Sequence, residues 1–194
     1  MVAKDENRGR ARVGGLHIAE SPPGQAPAWS AHDRSFAVES ELVLRLADGR
    51  LSYEVARVAP YVKTYADEEP QGASEDGEDE DDGHSFVAWL GGEPAGEVRL
   101  SRHWNGCASI DDLVVGQAFR RRGVARALVE HAIAWSRAQQ LAGVVLETQN
   151  NNVAACRLYA ACGFRLEGFD AGLYRALQPG TREVALFWYW RDAH

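Results

Sequence analysis

The sequence is short of cysteine, lysine and long apolar runs, and each shortage removes a class of function. Three cysteines, Cys107, Cys156 and Cys162, are an odd and sparse set. They cannot make a disulfide framework, and none of their spacings is a zinc pattern. Buried reduced thiols are the expected role. The six histidines are scattered along the chain and form no cluster, so no metal site is expected. His131 falls inside a helical pattern, where packing is the expected use. No apolar stretch approaches the ~20 residues of a spanning helix, which argues against a membrane protein. The opening MVAKDENRGRARVGG has charge with no apolar segment behind it, unlike a secretory leader. Asp5 and Glu6 argue against an organelle transit peptide despite Arg8, Arg10 and Arg12. The expected location is therefore cytoplasmic.

Lysine occurs only at Lys4 and Lys63, while the other nineteen basic residues are arginine. The formal net charge of −7 conceals a strong asymmetry. Residues 67–82, DEEPQGASEDGEDEDD, hold ten carboxylates and no cation. Without them the chain carries a net +3. That excess is too small for a nucleic-acid binder of this size. The acidic run has almost nothing apolar to bury, and its charges repel, so residues 67–83 are expected to form a flexible loop. An electrostatic lure for a polycationic substrate is a second use for such a segment.

Residues 1–30 are rich in Pro, Gly and polar side chains and are expected to be disordered or extended, leaving 31–194 as the folded domain. From Phe36 the apolar residues alternate, and Asp48-Gly49 between two alternating runs predicts a hairpin. A second hairpin is expected around Gly91-Gly92-Glu93-Pro94, followed by a strand over Ala108 to Val115. Val124, Leu128, Ala132 and Trp135 recur at helical spacing within 121–140. A short strand at 143–148, a helix from Asn152 to Cys162 ended by Gly163, and an aromatic strand at 183–190 complete the pattern. The fold class is α/β (α+β), with a mixed, mostly antiparallel central sheet flanked by helices.

The segment Ile110-Asp-Asp-Leu-Val-Val-Gly-Gln-Ala-Phe-Arg-Arg-Arg-Gly-Val-Ala-Arg-Ala-Leu128 is the most informative. A buried strand enters a glycine-containing turn that opens a helix. The first N–H groups of a helix lack internal partners, and its dipole makes that end positive. A phosphate group fits there, with Arg120, Arg121, Arg122 and Arg126 adding charge. Gly123 and Ala125 leave room for close backbone approach.

Downstream lies Asn152-Val-Ala-Ala-Cys-Arg-Leu-Tyr-Ala-Ala-Cys-Gly-Phe164. The two motifs, in this order, resemble the GNAT acyltransferase superfamily: R-x-x-G-x-G/A, helix, strand, then N-x-x-A-x-x-L-Y-x-x-x-G-F. The resemblance implies acetyl-CoA as donor and two adjacent strands splayed to admit it. It implies that Leu113, Val114 and Val115 offer backbone groups to the pantetheine arm. It implies a pyrophosphate loop at Arg120, Arg121, Arg122, Gly123, Val124, Ala125 and Arg126, a polar helix start at Asn152, and Tyr159 beside the thioester sulfur. Ala125 stands where glycine is commoner. The implied reaction needs a carboxylate to take the amine's proton, and Asp112 and Glu147 are the candidates. Asp111 and Asp112 are adjacent on a strand and so point to opposite faces.

Several stretches outside the cofactor motifs resemble a narrower group, the streptothricin acetyltransferases. They are Ala59-Pro-Tyr-Val-Lys-Thr-Tyr65 with the acidic run after it, Trp104-Asn105, Leu146-Glu-Thr-Gln-Asn-Asn-Asn152, Gly168-Phe-Asp170 with Tyr174, and Glu183 to Tyr189. That resemblance implies a small cationic amine as acceptor, namely the β-lysine amine of the antibiotic. Asp111, Asp112, Glu147 and Asp170 would meet its charges, and Trp104 and Tyr174 would offer aromatic faces. The alternatives are another small cationic amine, such as a polyamine or lysine-like group, and a non-catalytic acetyl-CoA-binding module. The aromatic bulk of Ala185 to Trp190 exceeds what one covered sheet face needs, and a homodimer contact, a substrate wall and plain core are the readings of the excess.

Overall fold

The computed structural model describes residues 15–22, 25, 27–29, 33–64 and 83–192. The acidic run therefore lies outside the described residues, as does most of the segment before Leu16. Nine strands and three α-helices follow one another as β1 (Leu16–Ser21), β2 (Ser35–Ala47), β3 (Arg50–Thr64), β4 (His84–Leu90), β5 (Glu93–Arg102), β6 (Ala108–Val115), α1 (Val124–Ala138), β7 (Val144–Gln149), α2 (Val153–Ala161), β8 (Arg165–Asp170), α3 (Leu173–Leu177) and β9 (Ala185–Trp190). Seven strands form one sheet in the order β1-β4-β5-β6-β7-β9-β8, and β2 and β3 pair separately. Only β6 and β7 run parallel. The helix α1 is their crossover, as a parallel pair requires. The sheet is thus mixed, mostly antiparallel and flanked by helices, as the sequence predicts.

Local chemistry accounts for the elements. Asp48 and Gly49 both adopt positive φ (50° and 70°), as does the Gly91-Gly92 pair (68° and 88°). Such two-residue turns match the twist of paired strands. The second turn is shorter than the four residues expected, because Pro94 already pairs with Trp89 in the ladder. Pro60 sits inside β3, where a strand interior normally excludes it. The ladder slips there, pairing Val38 with Tyr61 and Ser40 with Arg57, so no ladder bond falls on the proline. The helix α1 buries Val124, Leu128, Val129, Ala132 and Ile133 against the sheet. Each large aliphatic side chain so buried contributes roughly 1.5–3 kcal/mol.

One expectation changes. The sheet begins at Leu16, inside the segment expected to be extended or poorly ordered. There Leu16 to Ser21 pairs in register with Leu90 to Ser85. Its six residues are short and half polar, so the signal is weak against a Pro- and Gly-rich neighbourhood. The aromatic strand β9 lies between β7 and β8. Its aromatic bulk is spent internally. Trp188 is 1% exposed, and Arg137 and Arg191 stack on Trp190 and Tyr189. Among the described residues, no helix is long and apolar enough to cross a membrane.

Candidate functional site

The sheet parts where β6 meets β7. Their pairing covers only Ala108, Ser109 and Ile110 against Val144, Val145 and Leu146. Beyond it, Asp112 to Val115 keep their ladder with β5, and Glu147 to Gln149 keep theirs with β9. The two facing edges are left without each other. A β-bulge in β6 contributes to this divergence. Arg99 pairs with Asp112 and Leu100 with Ile110, so Asp111 has no cross-strand partner and stands exposed. An extended ligand with amide groups fits a backbone edge that has lost its strand.

The register sorts the side chains around this gap. Leu100 and Ile110 pair on the face covered by α1, as do Val98 and Leu113. Leu146 and Trp188 share that face, and Trp188 meets Tyr159 of α2 at 6.4 Å between rings. Asp112, Val114 and Glu147 alternate to the opposite face. Tyr159 and Glu147 therefore flank the gap from opposite sides.

At the end of β6 the chain turns through a short 3-10 turn, Gln117–Phe119, into the arginine run. Gly123 takes φ 84° as the N-cap of α1, and Arg121 is left-handed at φ 64°. A glycine accepts that geometry freely, whereas a branched residue would be strained. No side chain caps α1, and its first turn contains no acid. The free N–H groups and the exposed Arg121, Arg122 and Arg126 suit an anion such as a pyrophosphate. The residues present thus fit both parts of acetyl-CoA.

Arg120 behaves differently from its neighbours. Its guanidinium donates to the carbonyls of Val115 (3.2 Å), Ser35 (2.7 Å) and Asp33. Asp33 in turn accepts from the N–H of Gln117 at 3.0 Å. The side chain of Arg120 is a strap that fixes the turn to residues 33–35, whatever its backbone does for an anion. Asn152 caps α2 by accepting from the N–H of Ala155 at 3.2 Å. Tyr159 is buried, with Phe164 at 6.0 Å between rings.

The two carboxylates proposed as bases are in unlike settings. Asp112 is held by Arg34, Nη1 to Oδ1 at 3.3 Å and Nη2 to Oδ2 at 3.0 Å, with Arg99 at 3.5 Å. Both its oxygens are engaged by cations. Glu147 is open to solvent on one side and receives a short hydrogen bond from the hydroxyl of Tyr174. Surrounding protein raises its carboxyl above the usual carboxylate range, against the pull of the Tyr174 bond and the Lys63 charge.

Asp170 accepts from the N–H groups of Gly172 (2.6 Å) and Leu173 (3.0 Å). It fixes the turn that aims Tyr174 at Glu147. Trp104 falls elsewhere. It is 91% exposed at the β5–β6 turn, where β6 begins, while the gap opens toward its other end. Glu147 lies level with Asp111, ~10 Å along β6 from its start, and Trp104 makes its ring contact with His103 at 5.5 Å on the turn.

Four participants escaped the sequence reading. Lys63, near the end of β3, makes a short ion pair with Glu183. Asn151 donates to Glu183 (3.0 Å) and to the hydroxyl of Tyr61 (2.9 Å). Its own Oδ1 is buried without a partner among the described residues. Asn150 is bonded to Leu42 through N–H···O=C at 2.8 Å, and its side chain bridges Leu42 and Val184. The asparagine run thus stitches the β2–β3 hairpin to the sheet through Asn150 and Asn151, and starts α2 through Asn152. A run of three asparagines after a strand is a signal of backbone satisfaction work, but it does not say which backbone.

Residues 53–164 match the acetyltransferase (GNAT) family. The chain is 38% identical over 158 residues to a streptothricin acetyltransferase of Escherichia coli, covering 81% of this chain and 86% of that protein. It is 31% identical over 157 residues to streptothricin acetyltransferase A of Bacillus subtilis (strain 168), covering 80% and 88%. Among solved structures, a Bacillus anthracis str. Ames protein in complex with acetyl coenzyme A superposes with a TM-score of 0.78 at 32% identity, over 92% of this chain and 98% of that one. Nourseothricin acetyltransferase gives 0.73 at 29% identity, over 92% and 99%.

Proposed function

The chain belongs to the GNAT acetyltransferase family and moves an acetyl group from acetyl-CoA, and on that premise we propose that its acceptor is the β-lysine amine of streptothricin. One observation carries the proposal. Stretches that resemble streptothricin acetyltransferases, and that lie outside the cofactor motifs, supply the side chains that bond Glu147 and Glu183. Tyr61, Asn151, Glu183 and Lys63 form one chain of contacts, and Tyr174, on the turn shaped by Asp170, bonds Glu147, so four distant segments supply these two groups. The relatives that carry streptothricin in their names span four-fifths of the chain.

Acetyl-CoA, when bound, supplies the thioester and the thiolate that leaves. The acceptor amine arrives as an ammonium with a pKa near ~10.4 and must lose a proton first. Glu147 is the base in this reading, because Asp112 is neutralised by Arg34 and Arg99. A base with a raised pKa is a better proton acceptor near neutral pH than an ordinary carboxylate. A backbone N–H near Val114, on the unpaired edge of β6, donates to the developing oxyanion. Tyr159, across the gap from Glu147, donates its hydroxyl proton toward the sulfur. Asp111 stands exposed at the bulge, where it meets substrate charge without touching the reacting atoms. Tyr174 orients Glu147 and offers an aromatic face.

The test is a turnover assay with purified protein. Acetyl-CoA and streptothricin are expected to give thiol release and a mono-acetylated product by mass spectrometry. Turnover with a polyamine or free lysine but not with streptothricin would replace the acceptor with another small cationic amine. Binding of acetyl-CoA with no turnover on any of these amines would leave a non-catalytic module.

A further inference from the structure

The stretch of β6 that has no partner on its β7 side is fastened at both ends. Past the bulge at Asp111, Asp112 is the first residue to rejoin the ladder with β5, and Val115 is the last of the strand. Arg34, just before β2, lays its guanidinium fork on Asp112, Nη1 to Oδ1 at 3.3 Å and Nη2 to Oδ2 at 3.0 Å. At the other end the carbonyl of Val115 accepts from Nε of Arg120 at 3.2 Å. Arg120 is itself gripped by the carbonyls of Asp33 and Ser35. Residues 33–35 thus hold Asp112 directly and Val115 through Arg120. Earlier in the same connection, Trp29 donates from its indole N–H to Glu97 of β5 at 2.8 Å. Its ring lies over Gly116, where an added Cβ would come within 3.1 Å of it.

Two neighbouring strands gain hydrogen bonds by closing on each other, and β6 and β7 already pair as far as Ile110 and Leu146. Asp112 to Val115, which would extend that pairing, lie between the two points that Arg34 and Arg120 hold. The Arg34–Asp112 pair suits this work. Its side chains are 26% and 23% exposed, so solvent screens it less than a surface pair. Two parallel bonds fix direction as well as distance, which the point charge of a lysine does not. Arg99, at 3.5 Å from the same carboxylate, adds charge through a single nitrogen.

We propose that Arg34 is a positioning residue for the donor: its fork on Asp112 keeps the end of β6 apart from β7, so that the slot for the pantetheine arm is open before acetyl-CoA arrives. Arg34 touches no reacting atom in this role and acts through the backbone of β6. The role concerns the donor alone and does not depend on which amine is the acceptor. A slot open only about one-tenth of the time would bind its ligand about tenfold more weakly.

The experiment is calorimetry on the unloaded protein, with two ligands that separate the ends of the cofactor. CoA carries the pantetheine arm and the nucleotide, whereas adenosine 3′,5′-bisphosphate carries the nucleotide end alone. In Arg34→Met the Kd of CoA is expected to rise about tenfold, while the bisphosphate binds as it does to the wild type. Asp112→Asn should give the same pattern, and the double variant should lose no more than either single one, because both break one contact. Arg34→Lys keeps the charge without the fork and is expected to fall between the wild type and Arg34→Met. An unchanged Kd for CoA in folded Arg34→Met overturns the proposal. An equal loss for both ligands overturns it too, since that marks a general loosening of the fold. Should Arg34→Met fail to fold, wild-type CoA affinity in Arg34→Lys overturns it instead. Failure of the wild type to acetylate streptothricin would replace the acceptor and leave these affinities as they stand.

Discussion

The two sides of the gap are built by different means. On the donor side, the unpaired edge of β6, the turn at Arg120–Gly123 and the start of α1 are contiguous in sequence, and they offer mostly backbone. On the acceptor side, Tyr174 of α3 bonds Glu147, and side chains from β3 and from the segment before β9 pair with each other as Lys63 and Glu183. A backbone site tolerates side-chain change as long as the dihedral angles survive. A side-chain site tolerates backbone shifts poorly, because each partner is held by another segment. The donor side should thus be damaged by altering conformation, and the acceptor side by altering functional groups.

The largest effect is expected from a change that keeps shape and removes chemistry. Glu147→Gln preserves the size of the side chain and its contact with Tyr174, but cannot accept a proton. Its kcat should fall by ~10²–10⁴, the usual contribution of a general base. Acetyl-CoA binding, measured by calorimetry, should remain that of the wild type. A parallel loss of acetyl-CoA affinity would mean that the two sides are not separable. Next in size is the converse change. Gly123→Val forces a β-branched residue to φ 84°. Strain of ~1–3 kcal/mol corresponds to roughly a 5–150-fold weaker Kd for acetyl-CoA. The pH at which Glu147 titrates should not move. An unchanged Kd would remove the turn from the donor site.

This difference in construction also explains what was legible in the sequence. A strand, a glycine turn and a helix start can be read from adjacent letters, so the donor side was expected where it stands. The hairpins and the helix α1 were legible for the same reason, since their periodicity and turn residues are local. The acceptor side required knowing that Lys63 and Glu183 meet across 120 positions. No periodicity encodes that meeting. The isolated lysine among arginines was the one available hint. Trp104 is the converse case, an aromatic in a shared stretch that the structure leaves exposed on the β5–β6 turn. The bonds that Asp170 makes to the N–H groups of Gly172 and Leu173 shape the loop that presents Tyr174, a role that its place in a shared stretch does not reveal.

The smallest effects should separate two neighbouring arginines within the donor side itself. Arg120 and Arg122 look equivalent in the sequence, yet Arg120 spans three carbonyls from two segments, whereas Arg122 is exposed over the Phe119 ring at 5.7 Å. Arg120→Ala strands those carbonyls and should cost ~1–3 kcal/mol of stability, because a lost partner leaves a part-buried acceptor unsatisfied. For a chain of this length that lowers Tm by roughly 2–4 °C per kcal/mol. Arg122→Ala should leave Tm within the narrow range of ordinary surface changes, about ±0.5 kcal/mol. Its effect should appear in the KM for acetyl-CoA, as an increase of a few-fold at low salt that fades as salt rises, since an exposed charge is screened. If thermal melting and salt-dependent kinetics gave the two variants the same profile, Arg120 would be a phosphate ligand like its neighbour. The strap to residues 33–35 would then be incidental to the fold.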